Sequence, residues 1–202
     1  INIKQASNRP PTVEAQAHYE HAIDLTEIGR LNEAEQYLLS TLDLVPDHVD
    51  ARRLLAMLYV QAEKKGAAIT LLDRGMKIRP SHTPFVTLRA RLFIESGEIP
   101  QAQTLLEQHA SSGQAGLGGL ELLASIYQQT SQFENGERIY RRITEIEPEM
   151  ARAWAGLAIC TDALGKGREA LFSFRRALSL EQLAPAVINY AHQRIAILEM
   201  EK

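Results

Sequence analysis

A single cysteine, Cys160, is all the thiol the 202 residues carry, so no intramolecular disulfide can form and packing alone must hold the fold. No apolar run approaches the ~18 residues needed to cross a bilayer, and no basic-then-apolar leader opens the chain. Positive charge is short as well: 22 Lys and Arg against 25 Asp and Glu leave a net charge of -3. Aromatic residues make up only 6% and do not interleave with basic clusters, so the electrostatic footprint of a nucleic-acid binder is missing. A phosphate cradle is also absent, because the run Gly116-Leu117-Gly118-Gly119 follows no strand pattern and lacks the lysine-serine tail. What remains is ordinary globular material, 45% apolar and 23% charged, enough to bury a sizeable core.

The chain repeats itself every 34 residues. Ala22, Ala56, Ala90, Ala124 and Ala158 fall on one phase; Ala34, Ala68, Ala102, Gly136 and Ala170 fall on a second. Four residues after each of the latter stand Leu38, Leu72, Leu106, Tyr140 and Phe174. Pro46, Pro80 and Pro148 share a further phase, with Gln114 and Gln182 in place of proline. Five copies in register without insertion mark a stacked array of supersecondary units.

Each copy splits into two helical patterns around a breaker. In the fifth, Trp154, Leu157, Ala158 and Thr161 lie at helical spacing, Gly165-Lys166-Gly167 interrupt, and Ala170, Phe174 and Ala177 resume. Gly29, Gly66, Gly97 and the pair Ser131-Gln132 are the matching breaks. Proline stops each second helix, and Asp47 with Asp50 reads as the N-cap arrangement of the next. Small residues at the crossing let paired helices approach to about 8–10 Å. The bulky ones cannot be covered by one hairpin, so pairs must stack, which predicts a curved solenoid with a concave inner wall.

Boundaries follow. Residues 1–12 read as a linker end carrying Pro10 and Pro11, and residues 13–202 as one domain with repeats over 15–48, 49–82, 83–116, 117–150 and 151–184. Residues 186–201 form a closing helix with Val187, Ile188, Ala191, Ile195 and Leu198 apolar, as a terminal cap requires. Eleven helices are expected. The glycine-rich join 111–119 reads as a longer loop, with a hinge as the alternative.

These residues resemble the tetratricopeptide repeat (TPR) family: Trp154, Leu157, Ala158, Ala170, Phe174 and Ala177 match its pattern closely, while His21 and Arg89 stand where it prefers leucine. The resemblance implies an all-α, right-handed TPR superhelix (α-solenoid) that binds a protein or peptide along its inner wall. On the family's alignment that wall carries Tyr19, Ile23, Arg53, Met57, Val60, Thr87, Arg91, Ile94, Glu121, Ser125 and Gln128, with Thr26, Ala155, Ile159 and Asp162 beside them. The basic clamp that some family members use for C-terminal carboxylates is not expected, since Tyr19, Ile23, Leu54, Pro84 and Leu88 occupy its places.

No catalytic constellation, cofactor motif or metal set emerges. His18 and His21 are three apart on one helix, a spacing open to a metal, but a core-facing place for His21 is the stronger reading. Cys160 fits a small buried apolar role. The chain therefore reads as non-enzymatic.

The closing segment, WAGLAICTDALGKGREALFSFRRALSL with LAPAVINYAHQRIAIL, is similar to the C-terminal repeats of the MshN family, biogenesis proteins of the mannose-sensitive haemagglutinin (MSHA, type IV) pilus. That resemblance implies partners among pilus or secretion assembly components. It also implies a place on the periplasmic face of the inner membrane, with the anchor upstream of Ile1. Another TPR adaptor or chaperone-like assembly factor, of the envelope or the cytoplasm, is the alternative.

Overall fold

A computed structural model describes residues 10–80 and 82–200, and those residues form eleven α-helices and no strand. They are α1 (Pro11–Glu27), α2 (Leu31–Leu44), α3 (Val49–Gln61), α4 (Lys65–Ile78), α5 (Thr83–Glu95) and α6 (Ile99–Ser111). The rest are α7 (Leu117–Gln129), α8 (Phe133–Ile146), α9 (Ala151–Ala163), α10 (Gly167–Ser179) and α11 (Pro185–Met200). The fold is all-α, as the periodicity requires. Most of the segment read as a linker end lies outside the described residues, and α1 already begins at Pro11, where a proline costs nothing because that N–H has no helical partner.

The 34-residue ruler holds to the residue. Second helices α2, α4, α6, α8 and α10 begin at Leu31, Lys65, Ile99, Phe133 and Gly167, and α3, α5, α7, α9 and α11 begin at Val49, Thr83, Leu117, Ala151 and Pro185. The turn inside each pair is equally regular: Gly29, Glu63, Gly97, Ser131 and Gly165 all take a positive φ, between 57° and 77°. The next N–H then reaches back five residues, as in Arg30 N to Leu25 O at 2.8 Å and Lys166 N to Thr161 O at 2.9 Å. This satisfies a carbonyl the helix end would strand. Gly66 is therefore not the breaker of the second pair. It sits in the first turn of α4, and Glu63 carries the left-handed residue.

Helix starts also depart from the sequence reading at one place. His48, not Asp47 or Asp50, caps α3, its Nδ1 accepting from Ala51 N at 3.2 Å. Asp47 instead pairs with Arg79 and Asp50 with Arg53. Where proline is lacking, α6 and α10 end through Gly113 and Glu181 in the left-handed region.

The described residues fall into two compact units, divided between Leu92 and Phe93, inside α5. In the first, Ala22, Ala34, Leu38, Leu55 and Ala56, Ala68, Leu72, Phe85 make two adjoining layers of core. In the second, α6 to α10 pack each on the next, and Ala158, Ala170 and Phe174 close on Ala191 and Leu198 of α11. Both helices flanking the glycine-rich join 112–116 pack on each other within this unit. Every crossing alanine on the two phases is fully buried, as close helix approach demands.

Candidate functional site

In the first unit the expected inner-wall positions of α1, α3 and α5 flank the buried Ala22, Ala56 and Ala90: Ile23, Met57 and Arg91 follow them by one residue, and Tyr19, Arg53 and Thr87 precede them by three. Tyr19 is half-buried, its ring 4.9 Å from that of His48. Burial, then the carboxylate of Asp50, push its phenol above the usual tyrosine value, against the opposing Arg53. Arg53 lies 3.7 Å from Asp50, a loose and solvated pair. Ile23, Val60 and Thr87 are half-buried, Met57 is 47% exposed, and Arg91 is exposed with no ion pair among the described residues. These side chains give an apolar strip edged by two guanidiniums.

His82 belongs to the same surface and was not singled out by sequence. Its ring packs on Phe85 at 4.4 Å, and its Nε2 is shielded from water with no hydrogen-bond partner. Burial lowers its basicity, opposed by Asp50 and reinforced by Arg53 and Arg79, so the imidazole is neutral near pH 7. The available signal was the ruler itself, since His48 and His82 stand at one phase.

In the second unit the expected wall residues are more committed. Glu121 accepts two bonds from Arg152, at 2.7 and 3.1 Å, and Gln128 accepts the Tyr140 hydroxyl at 3.1 Å. Asp162 is clamped by both arms of Arg194, and Ala155 is buried outright. Ser125, Ile94 and Ile159 are half-buried. In the same unit α8, α9 and α10 line a cavity of about 410 Å³ whose walls include Trp154, Leu157, the 63%-exposed Phe172, Arg141 and Arg168.

No group of three or more metal-binding side chains occurs among the described residues. His21 is exposed, not core-facing, with its ring against Tyr37. Cys160 is fully buried, and burial, helped by Glu137, pushes its thiol up to about 11, away from nucleophilic duty.

Residues 25–92 match one tetratricopeptide repeat model and residues 119–150 match another. These are tetratricopeptide repeats. Solved TPR structures share the fold. MamA from Desulfovibrio magneticus RS-1 is 18% identical with a TM-score of 0.66, covering 84% of this chain and 96% of its own. A TPR protein from Parabacteroides merdae is 18% identical with a TM-score of 0.71, covering 93% and 73%. YrrB, described as a TPR protein with an unusual peptide-binding site, is 13% identical with a TM-score of 0.67, covering 89% and 92%. No curated protein matches the chain by sequence. No helix among the described residues is long and apolar enough to cross a membrane.

Proposed function

We infer that the chain is a non-enzymatic TPR scaffold that holds a segment of another protein against the inner positions of its repeats. The observation that carries this reading is the strip of the first unit. Tyr19, Ile23, Met57 and Val60 offer apolar contact area, and Arg53 and Arg91 stand beside them with little or no internal pairing. Aromatic residues, methionine and arginine are the types enriched where proteins bind. YrrB, with its peptide-binding site, supports the same use of the fold.

The machine it serves is a bacterial MSHA-type (type IV) pilus or a related secretion assembly, with the repeats on the periplasmic face of the inner membrane. The support is the closing segment from Trp154 to Leu198, with Asn8-Arg9-Pro10-Pro11 suiting the end of a proline-rich linker. The test is affinity capture from envelope extracts with the partners identified by mass spectrometry. A pilus assembly component should be recovered by the native chain and lost when Arg53→Glu and Arg91→Glu are combined. Recovery unchanged by the double substitution removes the inner strip as the site. Reproducible recovery of components of some other machine removes the pilus.

A further inference from the structure

The fifth repeat departs from its sisters at two neighbouring columns. Where they carry Tyr37, Leu71, Leu105 and Ile139 it has Ser173, and where they carry the exposed polar residues Gln36, Thr70, Thr104 and Arg138 it has Phe172. The polar residue has gone inside and the apolar one outside: Ser173 is 3% exposed and Phe172 63%. Burial alone favours the opposite order at both places, and a local rule broken with no gain to the fold marks a functional position.

Both residues line the cavity of about 410 Å³ between α8, α9 and α10, a size within the range of about 300–1,000 Å³ that takes a ligand. The Ser173 hydroxyl makes no hydrogen bond among the described residues. Phe172 and Trp154 stand with their rings 5.9 Å apart and 77° to one another. Trp154 Nε1 donates to the Pro148 carbonyl at 2.8 Å, so the indole is fixed before anything binds, and Leu157 adds to the apolar lining. Apolar walls around one unsatisfied buried hydroxyl suit a flat side chain with a polar tip, which is a phenol.

Charge narrows the occupant further. Arg168 of α10 and Glu145 of α8 also line the cavity, and neither has an ion pair among the described residues, whereas Arg141 and Glu169 are held to each other at 2.7 Å. The site therefore offers one free charge of each sign, on different walls, and a complementary occupant carries an acidic group for one and a basic group for the other. A polypeptide segment supplies both, on either side of its anchor.

We propose that this cavity is a second docking site, which takes a tyrosine side chain of a partner polypeptide flanked by one acidic and one basic residue. The ring lies against Trp154 and Phe172, the phenol exchanges a hydrogen bond with Ser173, and the flanking charges meet Arg168 and Glu145. Every part of the site belongs to the second unit, so its failure leaves the inner strip of the first unit untouched.

The indole N–H resonance of Trp154, the only tryptophan, reports occupancy by NMR. The probes are acetyl-Glu-Gly-Tyr-Gly-Lys-amide and the same peptide in reverse order, titrated at low salt into the full chain. One of the two should bind with a Kd on the order of 1 mM or below. It should bind about fivefold more tightly than its phenylalanine counterpart, the worth of one hydrogen bond, and more tightly than its counterpart with glutamine at both charged places. Ser173→Ala should erase the preference for tyrosine over phenylalanine. Ser173→Leu, which restores the residue of the sister repeats, should fill the cavity and raise the Kd at least about tenfold with the helical circular dichroism unchanged. No movement of the Trp154 signal up to about 10 mM of either peptide, equal affinity for tyrosine and phenylalanine in the native chain, or undiminished binding to a folded Ser173→Leu chain, overturns the proposal.

Discussion

A methyl group added at Gly156 has nowhere to go. A Cβ on this residue of α9 would lie 2.2 Å from Cζ of Tyr140 and 2.4 Å from Cε1, against the 3.5–4.0 Å of ordinary carbon contact. The ring cannot swing aside freely, since it is 8% exposed and its hydroxyl donates to Gln128. Gly156→Ala should therefore incur the overpacking cost of about 1–3 kcal/mol and weaken a hydrogen bond worth about 1 kcal/mol. Against this stands about 1 kcal/mol gained by replacing a mid-helix glycine with alanine. The net expectation is a loss of about 1–3 kcal/mol.

Tyr140→Leu tests the cause. Leucine lacks the three ring atoms that collide, so in that background Gly156→Ala keeps its helical gain of about 1 kcal/mol and loses the clash. The effect should change sign, with a coupling of about 2–4 kcal/mol between the two positions. The assay is urea unfolding followed by the fluorescence of Trp154, the only tryptophan in the chain and two residues from the site. Midpoints are compared at constant m, because repeat arrays can unfold in parts. If Gly156→Ala destabilises both backgrounds by the same amount, the steric argument is wrong.

Glu63 holds a left-handed φ of 58° where Gly29, Gly97 and Gly165 serve in sister turns, so Glu63→Gly should stabilise by about 0.5–1 kcal/mol in thermal melts. Burial opposes the charge on Glu137, but hydrogen bonds from Lys166 and Arg141 outweigh it and hold the carboxyl below its usual value. The stability it adds is thus full above the unfolded value of about 4.3 and lost as pH falls. The native chain should accordingly lose more stability than Glu137→Gln in melts taken between about pH 5 and pH 3. Cys160, with its thiol pushed up to about 11, should carry roughly a hundredfold less thiolate than a free cysteine. Alkylation at mild alkaline pH should be at least that much slower in the folded chain than in urea. Arg52 is buried and donates to the carbonyls of Pro46 and Leu71, so Arg52→Met should cost about 1.5–3 kcal/mol by urea titration.

The repeat was legible because two small residues per copy must sit at helix crossings, and no other residue type fits there. Ala22, Ala34 and their sister positions are buried without exception. Local chemistry was harder to read. Gly66 stood out as a breaker, yet the left-handed turn residue is Glu63, since the hydrogen-bonded turn tolerates a side chain at modest strain. The cap of α3 went to His48 over two aspartates because both carboxylates found arginines, Arg79 being 32 residues on. Glu121 and Gln128 were expected to be open. Their partners Arg152 and Tyr140 lie 31 and 12 residues on, offsets that the 34-residue ruler does not display.

The same division explains why the fold is easier to read than the ligand. The crossing column holds alanine five times and is closed to solvent each time, so folding dictates it. Three residues earlier the column runs Tyr19, Arg53, Thr87, Glu121, Ala155, with no common size, charge or shape, and four of those five side chains keep contact with solvent. Packing does not hold that column to one residue type, which is why its content cannot be read from the repeat. On the proposed binding reading the partner would meet Tyr19 and the loosely paired Arg53 of the first unit, with Ile23, Met57 and Arg91 on the column beside them, a surface chemistry of apolar contact and positive charge. That chemistry favours a segment carrying both aliphatic and acidic side chains over a basic one.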